Sequence, residues 1–448
     1  MALRSLGRVT ALWVALAASA PAALHSQLVS DNTPLDSLIQ LAVQANPDLK
    51  AMEARAAVFE ARIGPAGAWD DPQLMVGFMN LPLPSFDFDG TPMTQAATVQ
   101  LRQTIFFPGK QGLREDIAVA EYETVLAEAT DKRFAIVSAV RAAYYDLYTL
   151  ERSLEITQRH EALLQDFVRV ANARYTVGSG LQQDVLKANV EQGRVRERLL
   201  QQLAQREAAA ARLNALVNRR PEAPVAAPAL PSSLVRLAFA PRDTAGVRFA
   251  RSVEQEPPIP SLSALVDSAI AQRPLLAAHR SAIERQQHAI DLARKNLWPN
   301  LTVSLGYGLR GAGLADLLSA NIGFSLPIFA GRKQNQLIDA AKAGEVRAEA
   351  AYQAAVNRIA ARLADLRAHL VRLGEQLILY RDGIVPQATA ALQSATSAYQ
   401  VGRVDFLTLV NSEATLYRYE LEYHRLLASF LRTAADIEWT VGREIFSQ

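Results

Sequence analysis

Apolar residues recur at heptad spacing in two separate parts of the chain. In each part, six apolar positions step by four and three residues in alternation, the spacing of side chains that pack along a coiled-coil seam. Every member of the second set follows its counterpart in the first set at the same distance along the chain. The two sets are Ile136, Val140, Ala143, Leu147, Leu150 and Leu154, and Ile359, Leu363, Leu366, Leu370, Leu373 and Leu377.

The first seam belongs to a very long predicted helix. Residues 110–173 contain no proline and a single glycine, Gly112, so this helix would be roughly 95 Å long at 1.5 Å per residue. Gly178 then permits a chain reversal, and residues 181–217 predict a return helix. The pattern therefore indicates a long helical hairpin.

Three short segments in which apolar residues alternate with small or polar ones, together with a fourth short segment at residues 72–79, predict four strands. Period-two alternation over about ten residues is typical of transmembrane β-strands, although a half-buried strand of a soluble sheet has the same pattern. Two hairpins supply only four strands, whereas membrane barrels begin at about eight, and open edges in lipid leave backbone groups unpaired. Other copies of the chain are therefore expected to complete the barrel. The predicted strands are residues 72–79, 97–107, 301–309 and 320–328.

Other landmarks are duplicated as well, which sets the predicted domain organisation. Tyr175 and Gly178 recur as Tyr399 and Gly402, and two prolines near the start of each copy recur at almost the same distance. A near-constant offset indicates two copies of one structural unit. At the N-terminus, two arginines before a short apolar run are typical of a signal peptide. The predicted segments are a signal peptide (1–26), a first repeat (27–217), a Pro-rich linker (218–261) and a second repeat (262–448).

Two local signals refine the helices. Pro34 opens a first helix, predicted over residues 33–63, and Gly64 followed by Pro65 is expected to end it. In the second long helix, Pro386 removes a backbone hydrogen bond and predicts a kink or a break. The first copy has no proline at the matching place, so the two copies are expected to differ here.

Composition excludes several classes of function. The chain has no cysteine, and its formal charge of +2 favours no binding of nucleic acid. The six histidines and five methionines show no ligand spacing, so no metal site is predicted. The sequence has no phosphate-binding loop, nucleophile elbow or other catalytic motif. We therefore expect no enzyme activity and no cofactor.

At this point the residues carry a family resemblance that covers nearly the whole chain after the signal peptide. The ordered and duplicated motifs resemble the TolC-like outer-membrane efflux proteins. The Phe-Pro-Gly-Lys junction is more similar to the branch that serves heavy-metal pumps. The matching motifs include Asn46-Pro47, Trp69 with Pro72, Phe107-Pro108-Gly109-Lys110, Tyr175 with Gly178 and Asp184, Arg273-Pro274, Trp298-Pro299, and Tyr399 with Gly402 and Leu407.

The resemblance implies a mostly helical protein with a membrane barrel portion. Three chains would form a 12-stranded β-barrel in the outer membrane, continued by a periplasmic α-helical barrel. The protein would be a passive exit duct of a tripartite efflux or secretion system. Its partners would be a periplasmic adaptor, which the hairpin turns at Val177, Gly178, Val401 and Gly402 would contact, and an inner-membrane pump.

The resemblance also implies where the duct would narrow. In such proteins, carboxylates shortly after the second turn line a constriction, but here Thr408 and Asn411 stand at those positions. Asp184 holds the corresponding place in the first copy, and Leu407 could add an apolar ring. The alternatives are that Asp184 is a solvated residue stabilised by a helix dipole and that Leu407 is a seam leucine. A different reading of the whole chain is a periplasmic coiled-coil structural or adaptor protein without a barrel.

Overall fold

The computed structural model describes residues 35–80, 93–230, 238, 259–310 and 313–446. The signal peptide predicted for residues 1–26 lies outside the described residues. So does most of the Pro-rich linker predicted for residues 218–261, and so do the first residues of the helix predicted from position 33.

Four antiparallel strands form one sheet in the order β1-β2-β3-β4. The register places Leu101 of β2 beside Leu74 of β1 and Leu305 of β3, and Leu305 beside Ala320 of β4. Because side chains alternate along each strand, this register collects most of the apolar positions on one face and most of the small or polar positions on the other. The strands are β1 (Gln73–Met79), β2 (Gln95–Ile105), β3 (Leu301–Leu309) and β4 (Leu317–Phe324).

The predicted end of the last strand is wrong. Residues 320–328 read as one strand, but β4 begins at Leu317 and ends at Phe324. The backbone N–H of Ser325 still donates to the carbonyl of Asn300 at 3.1 Å, whereas Pro327 has no N–H to give and its carbonyl accepts from the Ala330 N–H in a turn. Alternating apolar residues beyond Ser325 therefore extend the pattern past the end of the ladder.

The helices are long and arranged in two hairpins. α3 runs without interruption over 67 residues, about 100 Å at 1.5 Å per residue. Among the described helices, none has an apolar stretch long enough to cross a membrane. The helices are α1 (Leu35–Ala45), α2 (Pro47–Gly67), α3 (Lys110–Thr176), α4 (Gln182–Leu216), α5 (Leu262–Gln272), α6 (Pro274–Lys295), α7 (Gln334–Leu379), α8 (Val385–Gln400) and α9 (Phe406–Val441).

The single helix predicted over residues 33–63 is two helices in the structure. Asn46 has an extended backbone, and its side-chain Oδ1 accepts hydrogen bonds from the N–H groups of Asp48 and Leu49 at 3.0 and 3.2 Å. Pro47 begins α2 because proline is well tolerated in the first turn of a helix. At the other end, Pro65 lies inside α2 instead of ending it. The second copy has the same break, at Arg273 before Pro274.

The predicted seams form the main apolar core. All six seam residues of the second copy are buried, and in the first copy Ala143 and Leu150 are the two that remain partly exposed. The α3 seam packs with α9, and the α7 seam packs with α9 and α5. Replacing a fully buried leucine such as Leu370 by alanine typically lowers the free energy of unfolding by about 2–5 kcal/mol. Packing at the seams therefore stabilises both long helices, α3 and α7.

The second long helix changes from α-helix to π-helix where a kink was predicted. Residues Tyr380–Ile384 form one turn of π-helix between α7 and α8, with the N–H of Val385 donating to the carbonyl of Tyr380. Pro386 lies in the first turn of α8, where its missing N–H is tolerated. The predicted interruption is therefore present, as a π turn and not as a break.

Candidate functional site

The two helical hairpins end in turns of the same geometry. Gly178 and Gly402 both adopt a left-handed backbone, with φ of 73° and 75°, which only glycine adopts readily. In each turn the next N–H bonds back across the helix end, from Ser179 to the carbonyl of Arg174 at 2.8 Å and from Arg403 to the carbonyl of Ala398 at 2.9 Å. These are Schellman-type helix ends, and they fix the direction in which each chain reverses.

The valines before the two glycines are among the most exposed apolar side chains of the helical portion. Val177 is 76% exposed and Val401 is 67% exposed. Both lie at the tip, and exposed apolar groups clustered at one end of a rod are typical of an interaction surface. The structure thus brings all four predicted turn residues, Val177, Gly178, Val401 and Gly402, to hairpin tips.

Arg174 ties the two tips together. Its Nη1 donates to the carbonyl of Tyr399 at 2.6 Å, and its Nη2 donates to the carbonyl of Ser179 at 3.0 Å. The guanidinium also lies over the Tyr399 ring, 4.7 Å from its centroid. Sequence reasoning missed this residue, and the only signal was asymmetry, since the matching residue of the second copy is Ala398.

Asp184 lies in the first turn of α4 and is partly buried. Its charge acts on the Tyr399 phenol: burial raises the pKa of Tyr399, and the negative charge of Asp184 raises it further. The charge of Asp184 is therefore felt by the second hairpin, to which Tyr399 belongs. Its position near the start of a helix also agrees with stabilisation by the helix dipole, so both predicted readings of Asp184 stay open.

Leu407, Thr408 and Asn411 lie together on an exposed face at the start of α9. Asp405 caps this helix, its Oδ1 accepting from the Thr408 N–H at 2.9 Å and from the Thr408 hydroxyl at 2.5 Å. Leu407 is 48% exposed, whereas its neighbour Phe406 is buried. Within one chain Leu407 is therefore not a seam leucine, because Phe406 occupies the seam.

A buried ionic cluster lies between α3 and α9, nearer the middle of the hairpins. His160 is 3% exposed; its Nδ1 lies 2.7 Å from Glu413 Oε1 and its Nε2 lies 2.9 Å from Glu420 Oε2. Burial lowers the pKa of His160, but the hydrogen bonds and charges of the two carboxylates outweigh burial and raise it. Arg159 pairs with Glu420 at 3.3 Å. Sequence reasoning gave His160 no role beyond an ordinary polar residue.

Within the described part of the chain, no three His, Asp or Glu side chains are arranged to hold a metal ion. The two carboxylates of the His160 cluster bind opposite nitrogens of the ring and do not converge on one point.

Comparison with known proteins decides the family. The sequence model described as outer membrane efflux protein matches residues 38–219 and 265–443, which together make up most of the chain. The chain belongs to the outer membrane efflux protein family. It is an outer-membrane efflux channel of the tripartite type with a large periplasmic helical portion, as the sequence predicted, and the alternative of an adaptor without a barrel is wrong. The family is one of channels and not of enzymes.

Relatives of this efflux protein span almost its full length. It is 23% identical to the cobalt-zinc-cadmium resistance protein CzcC of Cupriavidus metallidurans, over 91% of this chain and 90% of that protein. It is 24% identical to the pyoverdine export outer membrane protein OpmQ of Pseudomonas putida, over 91% and 85%.

Solved structures share the fold. The outer-membrane channel OprN aligns with a TM-score of 0.74 at 18% identity, covering 92% of this chain and 90% of that one. The outer membrane protein VceC of Vibrio cholerae aligns with a TM-score of 0.73 at 20% identity, covering 92% and 96%. CusC aligns with a TM-score of 0.73 at 15% identity, covering 93% and 96%. The predicted fold class is confirmed.

Proposed function

We propose that three copies of this chain close a 12-stranded barrel and act as the passive outer-membrane duct of a pump assembly. One observation carries the proposal: the sheet has a continuous apolar face, and its edge strands β1 and β4 have no further neighbour among the described residues of the chain. Unpaired backbone groups at those edges would cost several kcal/mol each in lipid. Pairing β1 of one copy with β4 of the next satisfies them and leaves no edge.

The helical portion supports the same closure. α4 packs against α3, α3 against α9, and α9 against α7 and α8, so α4 lies at one side of the helical layer. Its outer surface has four exposed apolar residues spaced along the helix: Leu186, Val190, Leu200 and Leu203. A neighbouring chain would bury this stripe, extending the layer into a helical barrel.

The exposed hairpin tips are the proposed contact for a periplasmic adaptor, through Val177, Gly178, Val401 and Gly402. The adaptor would connect the duct to an inner-membrane pump, which supplies the energy. CzcC is named for cobalt, zinc and cadmium resistance and OpmQ for pyoverdine export. Relatives this different in cargo support a duct whose cargo the pump selects, with heavy-metal ions as the first class to test.

The proposed constriction lies just above the tips. Asp184, whose charge raises the pKa of Tyr399, and the exposed Leu407, Thr408 and Asn411 would form rings when three chains surround the axis. Three Asp184 carboxylates in one ring would attract cations. The Arg174 contact to Tyr399 holds both hairpins of a chain in this arrangement.

Two measurements test the proposal. Cell fractionation and sizing of the purified protein in detergent should give an outer-membrane trimer, and a soluble monomer would refute the duct. Planar-bilayer recording of Asp184→Asn should then show a weaker preference for cations and a changed conductance, whereas Asp166→Asn, an exposed change on α3, should show neither. A trimeric channel whose Asp184→Asn variant behaves as wild type would remove Asp184 from the constriction and leave the duct intact.

A further inference from the structure

The polar face of the sheet has one charged side chain. Among the described residues of the four strands, Arg102 of β2 is the only Asp, Glu, Lys or Arg. Arg102 is directly beside Gln73 of β1 and Ser304 of β3, and Ser304 is beside Asn321 of β4. A polar row therefore crosses the whole sheet, with the arginine as its one charge.

The neighbouring polar side chains on this face are engaged within the sheet, whereas Arg102 is not. Gln100 donates from Nε2 to Ser304 Oγ at 3.0 Å. Gln95 lies over Gly308, so closely that a Cβ at that position would collide with it. Arg102 is exposed, and no carboxylate of the described residues forms an ion pair with it. Its charge is therefore available to another ligand.

Closure of the barrel decides where this charge lies. The apolar face must contact lipid, so the polar face, with Arg102, lines the lumen. Arg102 is three residues before the end of β2 at Ile105, so it lies roughly 10 Å from the junction with the helices at 3.3 Å per residue. Twelve strands about 4.8 Å apart and tilted by about 40° enclose a backbone radius of about 12 Å. This radius is comparable to the Debye length of about 8 Å at physiological salt. The charges of three Arg102 side chains therefore act together on the solution in the lumen.

We propose that Arg102 and its two symmetry copies form a cationic ring at the periplasmic end of the barrel lumen, which transiently binds the anionic groups of solutes that pass through. The proposal rests on the trimeric barrel proposed above. Rings of arginine or lysine select anions in other pores because the guanidinium or ammonium compensates for lost hydration, and arginine in particular binds carboxylate and phosphate in two-point geometry. The barrel lumen would then favour anions, whereas the Asp184 region would favour cations. The two regions are separated by the length of α3.

The test is the reversal potential of single channels in a potassium chloride gradient. Relative to wild type, Arg102→Gln should lower the chloride-to-potassium permeability ratio about twofold or more, and Arg102→Lys should keep it near the wild-type value. Thr104→Ala, on the same strand face two residues away, is the matched control and should leave the ratio unchanged. Inorganic phosphate added to one side should reduce the current of wild type more than that of Arg102→Gln.

The outcomes separate the two proposals. A wild-type channel that inserts and conducts, with an Arg102→Gln variant of unchanged permeability ratio and phosphate response, would overturn the cationic ring while the duct stands. A wild-type protein that forms no channel would overturn both. Asp184→Asn changes the other end of the tube, so combining it with Arg102→Gln should give additive shifts in the reversal potential.

Discussion

Arg174 Nη1 donates a hydrogen bond to the carbonyl oxygen of Tyr399, a residue far away in the sequence, at 2.6 Å. The contact joins the last turn of α3 to the last turn of α8, immediately before both glycine turns. Because the acceptor is a backbone carbonyl, this hydrogen bond does not depend on the tyrosine side chain, whose ring makes a separate contact with the guanidinium. One hairpin of the chain thus holds the tip of the other.

Replacing Arg174 by Ala should loosen the tip. The link between the hairpins is one hydrogen bond from a charged donor, worth about 1.5–3 kcal/mol at most, together with the guanidinium–ring contact. Its loss should raise the single-channel conductance and the fraction of time spent in larger conductance states. Arg169→Ala is the matched control, because Arg169 lies on the same helix and pairs with Asp166 one turn away. Equal conductance in wild type and Arg174→Ala would contradict a role for this link.

Tyr399→Phe separates the two interactions at the tip. The substitution leaves the carbonyl that Arg174 binds and the ring beside its guanidinium, but removes the phenol hydroxyl, whose pKa is raised by burial and by the charge of Asp184. If Arg174 alone holds the hairpins, Tyr399→Phe should conduct as wild type. If the interaction between the Asp184 charge and the Tyr399 hydroxyl contributes, the variant should share the altered conductance of Asp184→Asn.

His160 should stabilise the protein in acid and lose this contribution in alkali. Its pKa is raised in the folded protein above the ordinary value of 6.5, so the folded state binds the proton more tightly than the unfolded chain. The contribution is fully present below pH 6.5 and fades as the pH rises through the folded pKa. The melting temperature of wild type minus that of His160→Gln, measured in detergent, should therefore be larger at pH 6 than at pH 9. A difference that grows with pH would contradict the ionic cluster.

His424 should have the opposite effect on stability. Burial, aided by the charge of Arg152, lowers the pKa of His424 to about 4, and the Tyr148 hydroxyl lies 3.1 Å from its Nδ1. Because the unfolded chain binds the proton first, stability is lost as the pH falls from 6.5 towards 4, by about 3 kcal/mol. His424→Gln should therefore melt with less loss than wild type between pH 7 and pH 5. A loss equal to that of wild type would show that His424 does not titrate in this range.

Assembly of the helical layer can be tested on α4. Leu200 is 70% exposed within one chain, and the proposed neighbour would bury it. A charge at this position would be desolvated in the trimer, so Leu200→Glu should reduce the trimer fraction in sizing experiments while leaving the helical content of the chain unchanged. Gln205→Glu, an exposed position on the same helix, is the control. An intact trimer with Leu200→Glu would place the interface elsewhere.

The sequence predicted the elements whose signals are local. The seam of Leu363 and Leu370 and the alternation of residues 301–309 each need only a few neighbouring residues to be recognised, and both elements are where they were predicted. The break at Asn46 was missed because the residues around it favour a helix on both sides. In the structure, the cap formed by the Asn46 side chain and Pro47 in the first turn of α2 mark where one helix ends and the next begins.

The candidate site was predicted less completely, for a physical reason. Its central contacts join residues far apart in sequence, such as Arg174 with Tyr399 and His160 with Glu413, and no spacing rule connects them. Repeat symmetry could not find them either, because the position matching Arg174 is Ala398. Sequence found the turns, which are duplicated, and missed the contacts that only one copy makes.

The π turn at Tyr380–Ile384 accounts for a discrepancy in the duplication. The separation between Tyr175 and Tyr399, in the turn motif, is one position greater than the separation between the seam residues Leu154 and Leu377. The second copy thus has one additional residue between seam and turn, and a π turn is the structure that contains one residue more than an α turn. Without it, an inserted residue would rotate everything beyond by about 100°. The insertion is absorbed in a single turn, and the tip of the second hairpin keeps the orientation of the first.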